Sequence, residues 1–205
     1  MNDFKFAYHI MFHPFDGFWD MKYEKKGKIR TAVLILFGFI FSQIFHGLVG
    51  SFLYNYNYGW QPDIVSYATN VMIPLAIFCI ANWSVTTLMD GEGKMKHIFM
   101  AVGYAMLPMV IIRIPLTIIS NFITLDEAPY YQFLLNFSTY WFYFLLFVGI
   151  LTVHQYGVIK TLFTFLMTFL SMFVIVFLGL VFVALMTQVA GFAIAIVNEL
   201  QIRNL

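Results

Sequence analysis

Five histidines, one cysteine, ten carboxylates and one arginine inside an apolar run are the groups through which this chain could do chemistry. His9, His13, His46, His97 and His154 have no metal-ligand spacing, and no HExxH pattern is present. Cys79 is the single cysteine and lies in an apolar run, so an internal disulfide is excluded. No serine occupies a glycine-flanked elbow, and no glycine-rich loop could cradle a phosphate. Asp90 and Glu92 fall in the "DGEG" of residues 90–93, where two glycines predict a tight reversal rather than a paired catalytic site. Without a nucleophile–base pair or a metal constellation, the expectation is a non-enzyme with no cofactor and no metal.

Arg113 is the most costly residue in the chain. It lies in an apolar run, roughly 12 Å from the outer end of its span at 1.5 Å per residue. An ionised side chain at that depth faces a partner, water or a protein interior. Asp126, Glu127 and Glu199 are the acids that could reach it. The arrangement is either a structural ion pair or a polar path. Pro108 and Pro115 flank Arg113, and Pro74 interrupts the preceding apolar run. Each proline removes an amide donor and clashes one turn back, which gives either a kinked, packed bundle or a broken-helix path. Asn82 and the other amides within apolar runs are explained by hydrogen bonds between helices. Gly179, Ala184, Ala190, Gly191, Ala193 and Ala195 would let a neighbouring helix approach the last run closely.

The elements that must position these residues follow from composition. Of all residues 61% are hydrophobic and 10% are charged, against about 25% charged in an ordinary soluble domain. Lipid is therefore the solvent for most of the chain. Five continuous apolar runs lie at roughly 31–53, 65–89, 97–121, 132–153 and 161–190. Each has the roughly 20 residues a tilted helix needs, and none alternates as a barrel strand does. The predicted fold is an all-α polytopic membrane bundle of five transmembrane helices. Lys5, Lys22, Lys25, Lys26, Lys28, Arg30, Lys94, Lys96 and Lys160 fall on one side, and only Arg203 on the other. The positive-inside rule then predicts a cytoplasmic amino terminus and an extracytoplasmic carboxyl terminus in the cell membrane. Tyr54, Tyr56, Tyr58 and Trp60 lie at the outer level, where they form an aromatic belt or stack on a sugar or partner.

Residues 1–30 precede the first run, residues 31–198 hold the bundle, and residues 199–205 form a short tail. On a helix over residues 14–26, Phe15, Phe18 and Trp19 share a face with Lys22, Lys25 and Lys26, while Asp16, Asp20 and Glu24 stack opposite. This pattern predicts an amphipathic interfacial helix, its rings toward acyl chains and its lysines toward lipid phosphates. The acids Asp16, Asp20 and Glu24, with Asp90 and Glu92 of the reversal, would then form a partner-binding surface.

In "GYAMLPMVI" at 103–111, Gly103, Tyr104, Leu107 and Pro108 resemble the glycine–tyrosine–leucine–proline pattern of the Yip-domain family, the Rab/Ypt-interacting membrane proteins. Five spans with that orientation are also the family layout. "HPFDGFWDMKYEKKG" and "NWSVTTLMDGEGKMK" are similar to its prokaryotic branch. The Asp-Leu-Tyr-Gly-Pro motif of the eukaryotic members does not occur in this chain. The resemblance implies a scaffold that organises membranes or binds partners. Its expected partners are membrane lipids, other integral membrane proteins and a second copy of the chain, with no nucleic acid. The alternative it leaves open is an accessory or core component of a transporter, such as a carbohydrate ABC importer, with Arg113 on a polar path.

Overall fold

The computed structural model describes residues 3–54 and 63–203, with side chains as far as residue 196. The described residues are helical, in the order α1 (Asp3–Phe12), α2 (Pro14–Lys22), α3 (Ile29–Val49), α4 (Ile64–Leu88), α5 (Met95–Ala105), α6 (Leu107–Ile119), α7 (Ala128–His154) and α8 (Val158–Arg203). A single 3₁₀ turn, Leu125–Glu127, leads into α7. Five segments are long and apolar enough to cross a membrane: α3, α4, α5 with α6, the turn with α7, and α8. The fold is therefore the all-α membrane bundle that the apolar runs predict.

The third span is two helices in line. Met106 separates them, its amide donating to the carbonyls of Val102 at 3.2 Å and Gly103 at 3.3 Å. Pro108 lies in the first turn of α6, where its missing N–H has no helical partner to lose. Pro74 and Pro115 sit inside α4 and α6. α7 ends where Gln155 takes the left-handed conformation, φ 56°. Asp63 caps α4, its carboxylate accepting from the Val65 amide at 3.0 Å.

α3 packs on α5 and α6, α7 packs on the same two helices, and α4 pairs with α8. The tightest packing lies toward the basic face, the end of the bundle that carries the lysines. There Ile98, Met100, Ala101, Tyr104, Leu145, Val148, Ile150 and Val153 are buried. α1 and α2 close this end. Phe6, Ala7, Ile10, Phe18 and Met21 join the same core, so the segment before the first span is part of the folded unit. The chain also remains helical beyond the expected end of the last span. No proline follows Pro129, and α8 runs to Arg203, into the expected 199–205 tail.

Candidate functional site

Two regions gather the polar groups. The first surrounds Arg113 within the bundle. Its Nη1 donates to Gln43 Oε1 at 2.7 Å, and its guanidinium lies 5.3 Å from the centre of the Phe39 ring. Its own carbonyl accepts from the Thr117 hydroxyl at 2.9 Å. The expected acidic partner is not there. Glu127 is held at the start of α7, its carboxylate accepting from the Thr124 amide at 2.9 Å. Asp126 makes no ion pair among the described residues, and the Glu199 side chain lies outside them. The Arg113 side chain instead turns inward to an amide and an aromatic face. Gln43, His46 and Tyr131, which share this region, are residues that a search for acids passes over. A glutamine and a histidine three residues apart in the first apolar run were the available signal.

Two cavities meet at Arg113. One, of about 660 Å³, has walls of mainly apolar residues from α3 to α8, among them Phe39, Pro74, Phe78, Met109 and Phe165. The other, of about 130 Å³, is lined by Gln43, His46, Arg113, Thr117, Tyr131 and Leu135. Arg113 and Gln43 line both. Arg113 Nε and the Tyr131 hydroxyl are buried without a hydrogen-bond partner. Asn82 lies apart from this site. Its amide donates to the Thr168 hydroxyl at 3.1 Å and ties α4 to α8.

The second region is the closed basic face. Phe18 is fully buried rather than turned to lipid. Its ring fits over Gly149, where a Cβ would come 3.1 Å from Phe18 Cζ. Phe15 and Trp19 are exposed and line a shallow groove with Asp16, Gln155 and Tyr156. The three rings therefore divide between protein and surroundings, because α2 is seated on α7. The lysines are also redirected. The Lys22 side chain is 7% exposed and pairs with Glu92 at 2.9 Å, while Tyr23 donates to the same carboxylate at 2.8 Å. The helix ends at Lys22, and Lys25 takes φ 54°. Lys26 then folds back to pair with Asp20 at 2.8 Å and with Glu24. Basic and acidic side chains expected on opposite faces thus meet. Of the five expected contact acids, Asp16 and Asp90 stay exposed without an ion pair among the described residues. Of the outer aromatics, Tyr54 donates to the Thr124 carbonyl at 2.6 Å, and Tyr56, Tyr58 and Trp60 lie outside the described residues.

The "DGEG" reversal is pressed against the end of α7. A Cβ at Gly91 or at Gly93 would come 2.5 Å from the His154 ring. The Gly103–Pro108 segment is likewise architectural. Gly103 lies against Ala32, and Tyr104 is buried with its hydroxyl accepting from Lys28 N at 3.1 Å and donating to Lys28 O at 3.2 Å. The Phe6 ring meets Tyr104 edge-on at 5.9 Å. Leu107 is buried, and Pro108 shapes the start of α6.

Hydrogen bonds from Lys22 and then Tyr23, with the charge of Lys22, hold the Glu92 carboxyl below its ordinary value of 4.5. A depressed acid contributes stability that is present above its unfolded value and lost as pH falls through its folded value. The seal between α2 and the reversal should therefore loosen on acidification below about pH 4.5. Trp19 reports it, because its ring lies tilted against that of Tyr23 at 4.3 Å. An acid-induced change in tryptophan emission, absent from Trp19→Phe and weakened in Glu92→Gln, is expected. An identical titration in Glu92→Gln would contradict the assignment.

A family model described as the Yip1 domain matches residues 8–181. No curated protein and no solved structure matches the chain.

Proposed function

Because the chain belongs to the Yip1-domain family of multi-pass membrane proteins, we propose that it is a non-enzymatic scaffold that docks other integral membrane proteins through its last helix. One observation carries this reading. Every described residue of α8 from 176 to 196 is exposed, and nearly all are apolar. The Asn82–Thr168 contact fixes the antiparallel register of α4 and α8. At 1.5 Å per residue, the start of α4 at Ile64 then lies level with about residue 186 of α8. The whole of α8 is about 69 Å long, against roughly 30 Å of hydrocarbon. Its outer part thus continues past α4, the helix it packs on most, as an apolar rod. Ala184, Gln188, Gly191 and Ala195 lie on one face of that rod at helical spacing. Small residues with one amide suit the close approach of a helix of another membrane protein, through backbone packing and a side-chain hydrogen bond.

In this reading the basic face is cytoplasmic, as the concentration of lysine there favours, and the membrane is the cell membrane. The exposed Asp16, in the Phe15–Trp19 groove, and the exposed Asp90 offer a second contact on that side. The rival reading, a transporter component with Arg113 on a polar path, is less well supported. Between Arg113 and the basic face such a path would have to cross the buried layer of Ile98, Met100, Tyr104 and Val148.

A photoreactive amino acid at position 188 tests the proposal in native membranes. Adducts to another integral membrane protein are expected, and Gly191→Leu should abolish them. The same probe at Phe37, which is exposed on α3, should give lipid adducts. Lipid adducts alone from position 188 would remove the docking role, and adducts only of doubled chain mass would reassign it to self-assembly.

A further inference from the structure

We propose that Arg113 anchors the head of a bound amphipathic anion, an oxyanion joined to an aliphatic chain, held within the bundle. This goes beyond the scaffold reading and does not rest on it. The inference comes from the two cavities that meet at one guanidinium. The smaller, of about 130 Å³, is rich in donors. Arg113 offers a full charge and an unused Nε–H, Tyr131 an unused hydroxyl, and His46 an imidazole. No acid lines either cavity, and no ion pair neutralises Arg113 among the described residues. A buried charge without a counter-charge is costly. A site with several donors and no carboxylate lowers that cost by taking an anion. With about 30 Å³ per water in the liquid, the chamber holds roughly four waters or one carboxylate or phosphate head.

The larger cavity supplies what a free inorganic anion would not use. Its volume of about 660 Å³ lies within the roughly 300–1,000 Å³ typical of ligand sites. Its walls are mainly Phe, Leu, Val, Met and Pro, with Asn70, Thr139 and Tyr143 as further polar groups. Arg113 and Gln43 sit at the junction. A head beyond the guanidinium and a tail along Phe39, Phe78 and Phe165 would fill both spaces with one molecule. Gln43 then acts as a positioning residue, because its bond to Nη1 aims the guanidinium and leaves Nε to the ligand.

Binding to the purified full-length protein in non-ionic detergent tests this, read by native mass spectrometry and by thermal midpoint. The probes are oleate, oleoyl lysophosphatidate, oleyl alcohol and inorganic phosphate. Oleate or oleoyl lysophosphatidate should bind one to one and raise the midpoint, and their order of affinity identifies the head as carboxylate or phosphate. Oleyl alcohol and inorganic phosphate should bind at least about tenfold more weakly, since charge-assisted hydrogen bonds contribute about 1.5–3 kcal/mol. Arg113→Gln should lose a similar factor toward the anion while keeping or raising the midpoint of the ligand-free protein. A purely structural arginine would instead lower that midpoint. Tyr131→Phe removes a hydroxyl that is unpartnered in the free protein, so it should weaken anion binding without harming the fold. Equal binding of oleate and oleyl alcohol would overturn the proposal. So would wild-type affinity in either variant, or a collapse of Arg113→Gln together with unchanged binding by Tyr131→Phe.

Discussion

Gly103→Val should prevent the protein from accumulating in folded form, and Gly103→Ala should lower its thermal midpoint. A Cβ at this position would stand 2.8 Å from Ala32 Cβ and 3.1 Å from both the Cα and the carbonyl oxygen of Ala32. Two of those atoms are backbone and cannot rotate away, so α3 and α5 must move apart. Overpacking a close-packed interior costs about 1–3 kcal/mol and occasionally more. Separation would also strain the hydrogen bonds between Tyr104 and Lys28, one residue further on. The double variant Gly103→Ala with Ala32→Gly removes the nearest contact and should recover part of the loss. Fluorescence-detected size exclusion and thermal melts in detergent measure both effects. Wild-type yield and melting of Gly103→Val would show that the two helices do not pack this closely.

The second large effect is expected at Phe18. Truncating a fully buried phenylalanine costs about 3–5 kcal/mol. Here the loss falls on a nine-residue helix whose other buried residues are Gly17 and Met21. Phe18→Ala should therefore free α2 from α7 while the spans stay folded, a local opening of the kind that sub-global units undergo. Trypsin should then cut after Lys22, Lys25 or Lys26 much faster than in the parent protein. Phe15→Ala is the control, because Phe15 is 56% exposed and exposed substitutions usually change stability by only about 0.5 kcal/mol. Equal cleavage rates for the two variants would count against the seating of α2.

The spans were legible because unbroken apolar runs of this length have few other solutions. The break within the third span was half legible, since Pro108 announces a helix start but not that Met106 separates two helices. The closed basic face was not legible. A ring that seeks lipid and a ring that seeks protein look alike in sequence, and only the distant Gly149 tells Phe18 from Phe15. The redirected lysines follow from where the helix stops: α2 ends at Lys22, so Lys25 and Lys26 lie beyond its face. At Arg113 a search for opposite charge favoured Asp126, Glu127 and Glu199. The structure supplies Gln43 from α3, a residue with no charge to betray it.

The closure of the basic face also dictates an order of assembly. α1 and α2 leave the ribosome before the spans, yet the surface that buries Phe18 lies on α7, more than a hundred residues later. At about 5–20 residues per second, synthesis of that stretch takes on the order of ten seconds. Throughout that time Phe18 has no native partner on α7, and for the first part of it Phe6 has none on α5. A segment made before every span is thus among the last to find its place, and the seal records that the third and fourth spans have been inserted.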